Sequence, residues 1–496
     1  MTGRSPIGIV AAAGYLPWFR LTAEEIARSQ RKPAPKRAGQ RRLAGYDEDA
    51  LTMSVAAARL VPQTVLEAVE QIVFTSTTPP YLVKNNASAA HAALGLSESV
   101  AAFDLGGAVR SSVGALLSAR PGTLLLTGDV TTARPGASAE LGHGDAAAAL
   151  AIGPAADAIA EVVGSVSITD ELLDQWRLDG QPWPSTSEDR FPVSRFGPLL
   201  DAALGGLRDA GLPDGGATHV IVSAPSARVS TLAQKKAGQL GKLHIDPAIG
   251  FAGSADLAFQ LCAVLSVAEP GDTVLALSLS DGVDAVVVRC TDALGSRRPV
   301  IARSSRDGEA VGVVPTYLDA LAWRGLLERE PPRRPEPATV SASVSGRRVG
   351  WKFGLQGSVC GSCSAVAAPP QRVCVRCGSS ETSGRVDLSR RTATIRTFSV
   401  DRLAYSPNPP MIAAVVDFDG GGRLEVEMTD TVPESLAVGQ RVQMTFRLRH
   451  SSGGIHNYAW KAVPALVPEG VELSADAASA AACEGAQNPV QRVGEA

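Results

Sequence analysis

The sequence predicts an α/β layered domain over residues 1–328, followed by a small all-β module that begins with a cysteine-rich ribbon. Three observations lead to this fold class. Short apolar segments alternate with helical segments up to residue 290, which is typical of α/β layers. Two C-x-x-C pairs then lie between residues 360 and 377. Four strand-like segments with turn signals follow between residues 392 and 449, a pattern that favours a small barrel.

Composition narrows the class of protein before any motif is considered. The chain has 496 residues, 45% hydrophobic and 20% charged, so two or three globular domains are expected. A net charge of -3 argues against a broad basic surface, and we expect no nucleic-acid or membrane partner. No stretch approaches the roughly 20 apolar residues of a membrane span, and the first residues do not resemble a signal peptide. The basic run from Arg28 to Arg42 is interpreted as a solvated loop.

The first half of the α/β domain alternates strands and helices in a regular order. The predicted elements are a strand at 7–17, a helix at 49–60, a strand at 72–74 with a loop at 75–84, a helix at 86–94, a strand at 103–105, a helix at 110–117 and strands at 124–127 and 147–152.

The second half repeats this order. Its predicted elements are a helix at 196–212, a strand at 219–223, helices at 229–240 and 255–267, and strands at 273–279 and 284–288. Each half ends in strand, Gly/Asp turn and strand, with Gly142-His143-Gly144-Asp145 in one turn and Ser280-Asp281-Gly282 in the other. The sequence therefore predicts a duplicated α/β unit.

The rest of the chain divides by composition. Residues 329–350 are predicted to be a proline-rich linker, 351–385 a zinc ribbon, 386–468 an OB-fold domain and 469–496 a disordered tail. Within the linker, the prolines and charges of 330–337 favour an extended, solvated spacer.

Four cysteines form the most specific local motif. Cys360-x-x-Cys363 and Cys374-x-x-Cys377 make two tight turns, each of which directs two thiolates toward one point. Four thiolates complete the tetrahedral shell that Zn²⁺ prefers and leave no open position, so the predicted ion is structural. The other three cysteines are scattered, which fits a reducing cytoplasm better than a disulfide framework.

Two segments carry family resemblances. Gly14-Tyr15-Leu16-Pro17, Asp47-Glu48-Asp49 and the region from Thr169 to Phe191 resemble hydroxymethylglutaryl-CoA synthases of the thiolase superfamily. The region from Cys360 to about Val467 resembles the acyl-CoA-associated OB-fold family with an N-terminal zinc ribbon. The first resemblance implies a five-layered αβαβα fold, a homodimer, and a pantetheine tunnel that leads a coenzyme A thioester substrate to a site between the halves. In that family the site holds a nucleophilic Cys, a His and often an Asn or second His.

The sequence departs from this pattern at the residues that matter for chemistry. Val109 stands at the expected nucleophile position, Ser223 at the expected His position and Phe251 at the expected Asn position. A valine cannot carry an acyl group, so the acyl-enzyme route is closed at that position. Cys262 is predicted inside a helix and Cys290 at the end of a strand, and neither is at a strand-to-helix turn.

A thioester acidifies its α-carbon with or without a cysteine, so a base and oxyanion donors could still make or break a carbon–carbon bond by an aldol route. Some thiolase-like proteins that lack the Cys and pair with the same zinc-ribbon OB module are retro-aldolases on β-hydroxyacyl-CoA. This resemblance implies an aldolase or retro-aldolase that acts on a β-hydroxyacyl-CoA without an acyl-enzyme. Two alternatives stay open. One is a synthase-like condensing acyltransferase with an unplaced nucleophile, and the other is a non-catalytic acyl-CoA-binding scaffold.

Four residues are the candidate acids or bases. His143 and Asp281 lie in turns that the resemblance places near the site, and Tyr81 follows a loop where the related synthases carry a catalytic Glu. Glu48 is acidic and near a helix start, where capping is the usual role. The Gly253-Ser254 turn could offer backbone amides to an oxyanion or a phosphate.

Overall fold

The computed structural model describes residues 6–33, 39–187, 190–245, 249–303, 314–330, 334–335, 337–339 and 341–465. The predicted tail at 469–496 and parts of the predicted linker lie outside these ranges. None of the helices in the described ranges is long and apolar enough to cross a membrane.

In the described residues, the first half of the α/β domain contains seven strands and six helices. They are β1 (Ile7–Leu16), β2 (Phe19–Thr22), α1 (Ala23–Ser29), β3 (Gln40–Leu43), α2 (Ala50–Ala58), α3 (Gln63–Leu66), β4 (Gln71–Thr75), α4 (Ala87–Ala93), β5 (Ala101–Asp104), α5 (Ser111–Ser118), β6 (Thr123–Asp129), α6 (Ala139–Gly142) and β7 (Ala146–Pro154).

The second half follows with β8 (Ala160–Thr169), β9 (Gln175–Trp176), β10 (Ser185–Thr186), α7 (Arg190–Gly205), β11 (His219–Ser223), α8 (Ala227–Ala237), β12 (Lys242–Leu243), α9 (Asp256–Leu265), β13 (Thr273–Leu279), β14 (Gly282–Cys290) and β15 (Val300–Arg303).

The strand order demonstrates the predicted duplication. One half is ordered β5-β4-β6-β7-β1 and the other β12-β11-β13-β14-β8, so corresponding strands occupy corresponding positions. The halves join where β1 and β8 pair over only two residue pairs, Gly8 with Glu161 and Ile9 with Ala160.

Three buried clusters divide this domain into five layers. Apolar residues of α5 and α9 pack between the two sheets, with Leu116 and Leu261 among them. On the outer faces, α2 and α4 cover the first sheet and α7 and α8 cover the second. Helix α9 is therefore almost wholly buried, whereas Gly114 and Ser118 of α5 remain exposed.

The part of the C-terminal region that the structure describes contains three helices and eight strands. They are α10 (Tyr317–Trp323), α11 (Ala342–Arg347), α12 (Val349–Lys352), β16 (Gln356–Cys360), β17 (Val366–Ala367), β18 (Thr382–Asp387), β19 (Ala393–Asp401), β20 (Met411–Phe418), β21 (Arg423–Met428), β22 (Arg441–Ser452) and β23 (Ile455–Pro464). Strands β17-β16-β18 form the ribbon sheet, and β19-β20-β21-β23-β22 close into a barrel. The core of the barrel is continuous with the apolar cluster around α2 and α4.

Two expectations need correction. The predicted linker at 329–350 is not only a connecting segment, because it contains the helix α11 and the start of α12. The basic run is not only a solvated loop, because Arg41 on β3 is 6% exposed and lies 4.0 Å from the Asp145 carboxylate.

Candidate functional site

The turn from β5 to α5 carries Val109. Gly106, Gly107 and Ala108 ahead of it are exposed, and Val109 is half-buried at the start of α5. Arg110 anchors the turn to the second half of the domain through two hydrogen bonds to the Asp284 carboxylate, of 2.7 and 3.0 Å. An open pocket of about 480 Å³ lies beside the turn, and its lining includes side chains of α5, Asp281 and Asp284.

Ser223 ends β11 and is buried beside Asp256, the first residue of α9. The Asp256 carboxylate accepts hydrogen bonds from the Ala252 amide at 3.1 Å and from Gln260 Nε2 at 2.7 Å. Burial raises the pKa of Asp256 to about 6, against the opposing effect of these donors. A serine hydroxyl and a buried carboxyl thus stand where the family resemblance predicts an imidazole.

His143 lies against Phe251, one of the substituted positions, and against Pro225, two residues after Ser223. Its ring makes an edge contact with Phe251, with centroids 5.2 Å apart, and Nε2 lies 2.9 Å from the carbonyl oxygen of Pro225. A carbonyl can only accept, so Nε2 carries the proton and Nδ1 presents a lone pair with no partner among the described residues. Burial lowers the pKa of His143, which favours this neutral form near pH 7.

The expectation for the Gly253-Ser254 turn is wrong for Ser254. Its amide donates to the Asp129 carboxylate at 2.6 Å, and the residue is fully buried. A Cβ on Gly253 would lie 2.1 Å from Asp129 Oδ2, so the carboxylate fills the space in front of this turn. Because that space and the Ser254 amide are taken, the turn has no room for a ligand oxyanion.

Tyr81 lies against the barrel. Its hydroxyl accepts a hydrogen bond from the backbone amide of His456 at 2.7 Å, and the two rings are 4.7 Å apart. The structure therefore places this candidate at the contact between the α/β domain and the barrel.

Glu48 is neither a free base nor a helix cap. It forms a buried ion pair with Arg447 of β22 and accepts from the Tyr15 hydroxyl at 2.5 Å and the Gly45 amide at 2.8 Å. The cap of α2 is the next residue, Asp49, which forms a capping box with Thr52. The expected capping role therefore belongs to Asp49.

Asp281 lies in a turn with φ of 50°, an uncommon conformation for a residue with a side chain. Its backbone carbonyl accepts from Arg110 at 2.7 Å, and its side chain accepts from Ser280 at 3.2 Å. Asp174 is nearby and buried. Its pKa is raised to about 6, first by burial and further by the charge of Asp281.

The candidates therefore fall into separate places. Within the described residues, no hydrogen bond, ion pair or ring contact joins any two of His143, Tyr81, Asp281 and Glu48. Asp174 and Asp256, whose carboxyl groups have raised pKa values, were not among the candidates predicted from the sequence. In the sequence, Asp256 is an acidic residue at the start of a helix, which is common and indicates no function. Asp174 and Asp281 are far apart in the sequence, so their proximity could not be predicted from it.

The scattered thiols of the α/β domain are poor nucleophiles. Burial raises the pKa of Cys262 to about 12, and burial together with the charge of Asp272 does the same for Cys290. Both are 2% exposed or less, so neither supplies an accessible thiolate.

The four ribbon cysteines converge on one point. Their sulfur atoms all lie within 4.8 Å of one another, and the pairs Cys360–Cys377 and Cys363–Cys374 are both 3.6 Å apart. Sulfurs around a tetrahedral zinc with bonds of about 2.3 Å would be about 3.8 Å apart, so the donor set fits this ion. Backbone amides directed at the sulfur lower the pKa of Cys374 to about 6, which favours the metal-binding thiolate.

Comparison with known proteins assigns both parts of the chain. The α/β region is 30% identical over 321 residues to the hydroxymethylglutaryl-CoA synthase of Aeropyrum pernix, covering 60% of this chain and 89% of that protein. It is 31% identical over 312 residues to the synthase of Archaeoglobus fulgidus, covering 58% and 90%.

A crystal structure of an HMG-CoA synthase complexed with CoA matches with a TM-score of 0.51 and 16% identity, over 59% of this chain and 88% of that one. This supports the fold. Residues 385–447 match the family model of the C-terminal OB-fold domain of ChsH2. The chain therefore belongs to the hydroxymethylglutaryl-CoA synthase family of the thiolase superfamily, and it carries a C-terminal OB-fold domain of the ChsH2 type.

Proposed function

We propose that the chain is an acyl-CoA enzyme that makes or breaks a carbon–carbon bond by an aldol route, most simply as a retro-aldolase on a β-hydroxyacyl-CoA. The observation that carries the proposal is the geometry of His143. A neutral imidazole with its Nδ1 lone pair available lies beside Phe251, while Val109 provides no nucleophile. The relatives named as synthases support acyl-CoA carbon–carbon chemistry in general.

The steps balance without a co-reactant. His143 Nδ1 takes the proton of the β-hydroxyl, and the Cα–Cβ bond breaks as the β-carbon becomes a carbonyl. The electron pair moves to the α-carbon and is delocalised as the thioester enolate. The protonated imidazole then returns its proton to the α-carbon, which releases a shorter acyl-CoA.

Turnover of a series of β-hydroxyacyl-CoA esters tests this reaction, with release of a carbonyl compound and a shorter acyl-CoA as the readout. His143→Gln keeps a donor for the Pro225 carbonyl but has no basic nitrogen, so turnover should fall about 100-fold or more. Activity of the wild type should rise with pH through a pKa lower than that of an ordinary histidine, because burial lowers the pKa of His143, and then level off, because the neutral imidazole is the active form. A covalent thioester adduct by intact mass, or full activity of His143→Gln, would refute the proposal.

A non-catalytic acyl-CoA-binding scaffold is the second candidate. The replacement of two polar family positions by Val109 and Phe251 favours it. It predicts binding of CoA esters with no turnover of any ester in the series. The synthase-like alternative with an unplaced thiol has less support, because Cys262 and Cys290 are buried and have raised pKa values.

We also propose that the four ribbon cysteines hold one structural Zn²⁺. The support is the complete four-sulfur donor set, which leaves no position for water or substrate. All the cysteines in the described ranges are free of disulfides, and this agrees with a reducing cytoplasm as the working compartment.

A homodimer through the α/β domain is the proposed assembly. Strand β5 lies at the end of the array and pairs only with β4 among the described strands. Phe103 on this strand is 56% exposed and Leu105 just after it is 43% exposed. An open strand edge with apolar side chains favours pairing with a second copy of the chain.

A further inference from the structure

The hairpin of β22 and β23 reaches over the loop between β4 and α4, here called the bridging loop (residues 76–86). The amide of His456 donates to the Tyr81 hydroxyl at 2.7 Å, and His456 Nε2 lies 3.1 Å from the Pro80 carbonyl oxygen. That carbonyl can only accept, so Nε2 carries the proton. The Ser451 hydroxyl, 2.6 Å from Nδ1, then donates to the other nitrogen. The ring of His456 is thus fixed between the barrel and the loop.

The far end of the bridging loop is tied to the turn that carries Val109. Asn86 accepts from the Tyr81 amide at 3.1 Å and donates through Nδ2 to the Tyr81 carbonyl at 2.9 Å. The same Nδ2 lies 2.9 Å from the Asp104 carboxylate, which also accepts from the Ala87 amide at 2.7 Å. Asp104 is the last residue of β5, and the exposed turn to Val109 begins immediately after it.

The near end of the bridging loop is tied to the His143 side. The buried Asp129 carboxylate accepts hydrogen bonds from the side chains of Ser76, Thr77 and Thr78 and from two of their amides, at 2.7 to 3.0 Å. It also accepts from the Ser254 amide, in the segment that follows Phe251. One loop therefore connects both parts of the proposed site.

We propose that the barrel hairpin is a working part of the acyl-CoA site, with His456 as a positioning residue that holds the bridging loop, and through it the Val109 turn, in the form that binds a CoA ester. The reaction itself rests on the proposed function, but the position of the loop and the affinity for a CoA ester are measurable without turnover. Asp129 and Asn86 hold the two ends of the loop within the α/β domain, whereas His456 is the contact through which the barrel holds its middle.

Three variants separate positioning from simple stabilisation. His456→Ala removes the ring and its hydrogen bond to Pro80. His456→Gln retains an N–H donor that can reach the same carbonyl. Tyr458→Phe is the matched control, because it deletes another hydrogen bond between barrel and α/β domain, the 2.7 Å bond to Asp49, without a bond to the bridging loop.

The mobility of the bridging loop is measured as the rate of trypsin cleavage after Lys84, an exposed residue of this loop. The affinity for ligand is measured by calorimetry with acetyl-CoA. Relative to wild type, His456→Ala should be cleaved about tenfold faster and bind acetyl-CoA about tenfold more weakly, as expected for a lost hydrogen bond and ring contact. His456→Gln should restore both values to within about twofold.

Tyr458→Phe should lower the melting temperature but leave the cleavage rate and the affinity unchanged. Equal cleavage rates for wild type and His456→Ala, or the same changes in Tyr458→Phe, would overturn the positioning role. If wild type turns over no β-hydroxyacyl-CoA, the proposed reaction fails, whereas the positioning role is still decided by the cleavage rate and the acetyl-CoA affinity.

Discussion

Arg447 is the central cation at the contact between the barrel and the α/β domain. Its side chain is 3% exposed and forms ion pairs with Glu48, which is 0% exposed, and with Asp430, which is 3% exposed. It also donates to the Tyr15 hydroxyl at 3.0 Å. Burial alone would lower the pKa of Arg447, but the two carboxylates raise it above its usual range. The substitution Arg447→Met keeps most of the side-chain volume and removes only the charge and the donors.

The expected loss of stability comes from the two buried carboxylates that remain after Arg447 is removed. Glu48 and Asp430 stay buried after the substitution and lose the arginine that pairs with both of them. Burial already raises the pKa of Asp430, which favours uptake of a proton by this group, while Glu48 keeps the Tyr15 hydroxyl and the Gly45 amide as donors among the described residues. Removing one partner of a buried ion pair costs roughly 3–5 kcal/mol, and we expect the free energy of unfolding to fall by that amount.

Urea unfolding followed by two probes measures this cost, with tryptophan fluorescence and far-UV circular dichroism as the pair. The control is Arg396→Met, which deletes an exposed barrel ion pair of 2.6 Å to Asp417 and should cost less than about 1 kcal/mol. A double variant, Glu48→Gln with Arg447→Met, should recover part of the loss because one stranded carboxylate is neutralised. A loss below about 1 kcal/mol for Arg447→Met, or one equal to that of Arg396→Met, would refute the reasoning.

Three further predictions concern other parts of the molecule. Burial raises the pKa of Asp256 to about 6, so this carboxyl contributes fully to the free energy of unfolding below about pH 4, and its contribution is lost as pH rises through 6. The variant Asp256→Asn should therefore remove up to about 3 kcal/mol of the pH dependence of the free energy of unfolding, measured between pH 4 and pH 7. Cys374→Ser should lower bound zinc from about one per chain to near zero by elemental analysis and lower the melting temperature, and wild-type stability without metal would contradict the structural role. Phe103→Glu should convert a dimer to a monomer in light scattering, because a charge would be buried at the paired edge of β5; an unchanged mass would exclude this edge as the interface.

The regular parts of the fold were predictable because periodicity and turn chemistry are local. The strand at 219–223 and the helix starting near 111 depend on apolar spacing over a few residues, and their bounds differ from expectation by a residue or two at most. The strand β8 was missed because its exposed and buried residues do not alternate cleanly. The last barrel strand, β23, was not given bounds, because the polar His456 and Asn457 interrupt the apolar pattern near its start.

The site was predictable only where the chemistry lies within one short motif. The two C-x-x-C turns bring four sulfurs together because each turn is local and ten residues connect them. The environment of His143 depends on Pro225 and Phe251, about 80 and 108 residues away in the chain. Spacing along the chain contains no information about such contacts, so the tautomer of His143 could be assigned only from the structure.

The acidic triplet Asp47-Glu48-Asp49 is a motif that is visible in the sequence, but the role of its side chains is visible only in the structure. In the sequence it suggested chemistry at a helix start. In the structure all three carboxylates face the barrel: Asp47 pairs with Lys461, Glu48 with Arg447, and Asp49 accepts from the Tyr458 hydroxyl. Asp47 and Glu48 are buried and Asp49 is half-buried, so an α/β domain cut off before the barrel would leave these carboxylates exposed or without their partners. We therefore expect the α/β domain without the barrel to be less stable than the whole chain.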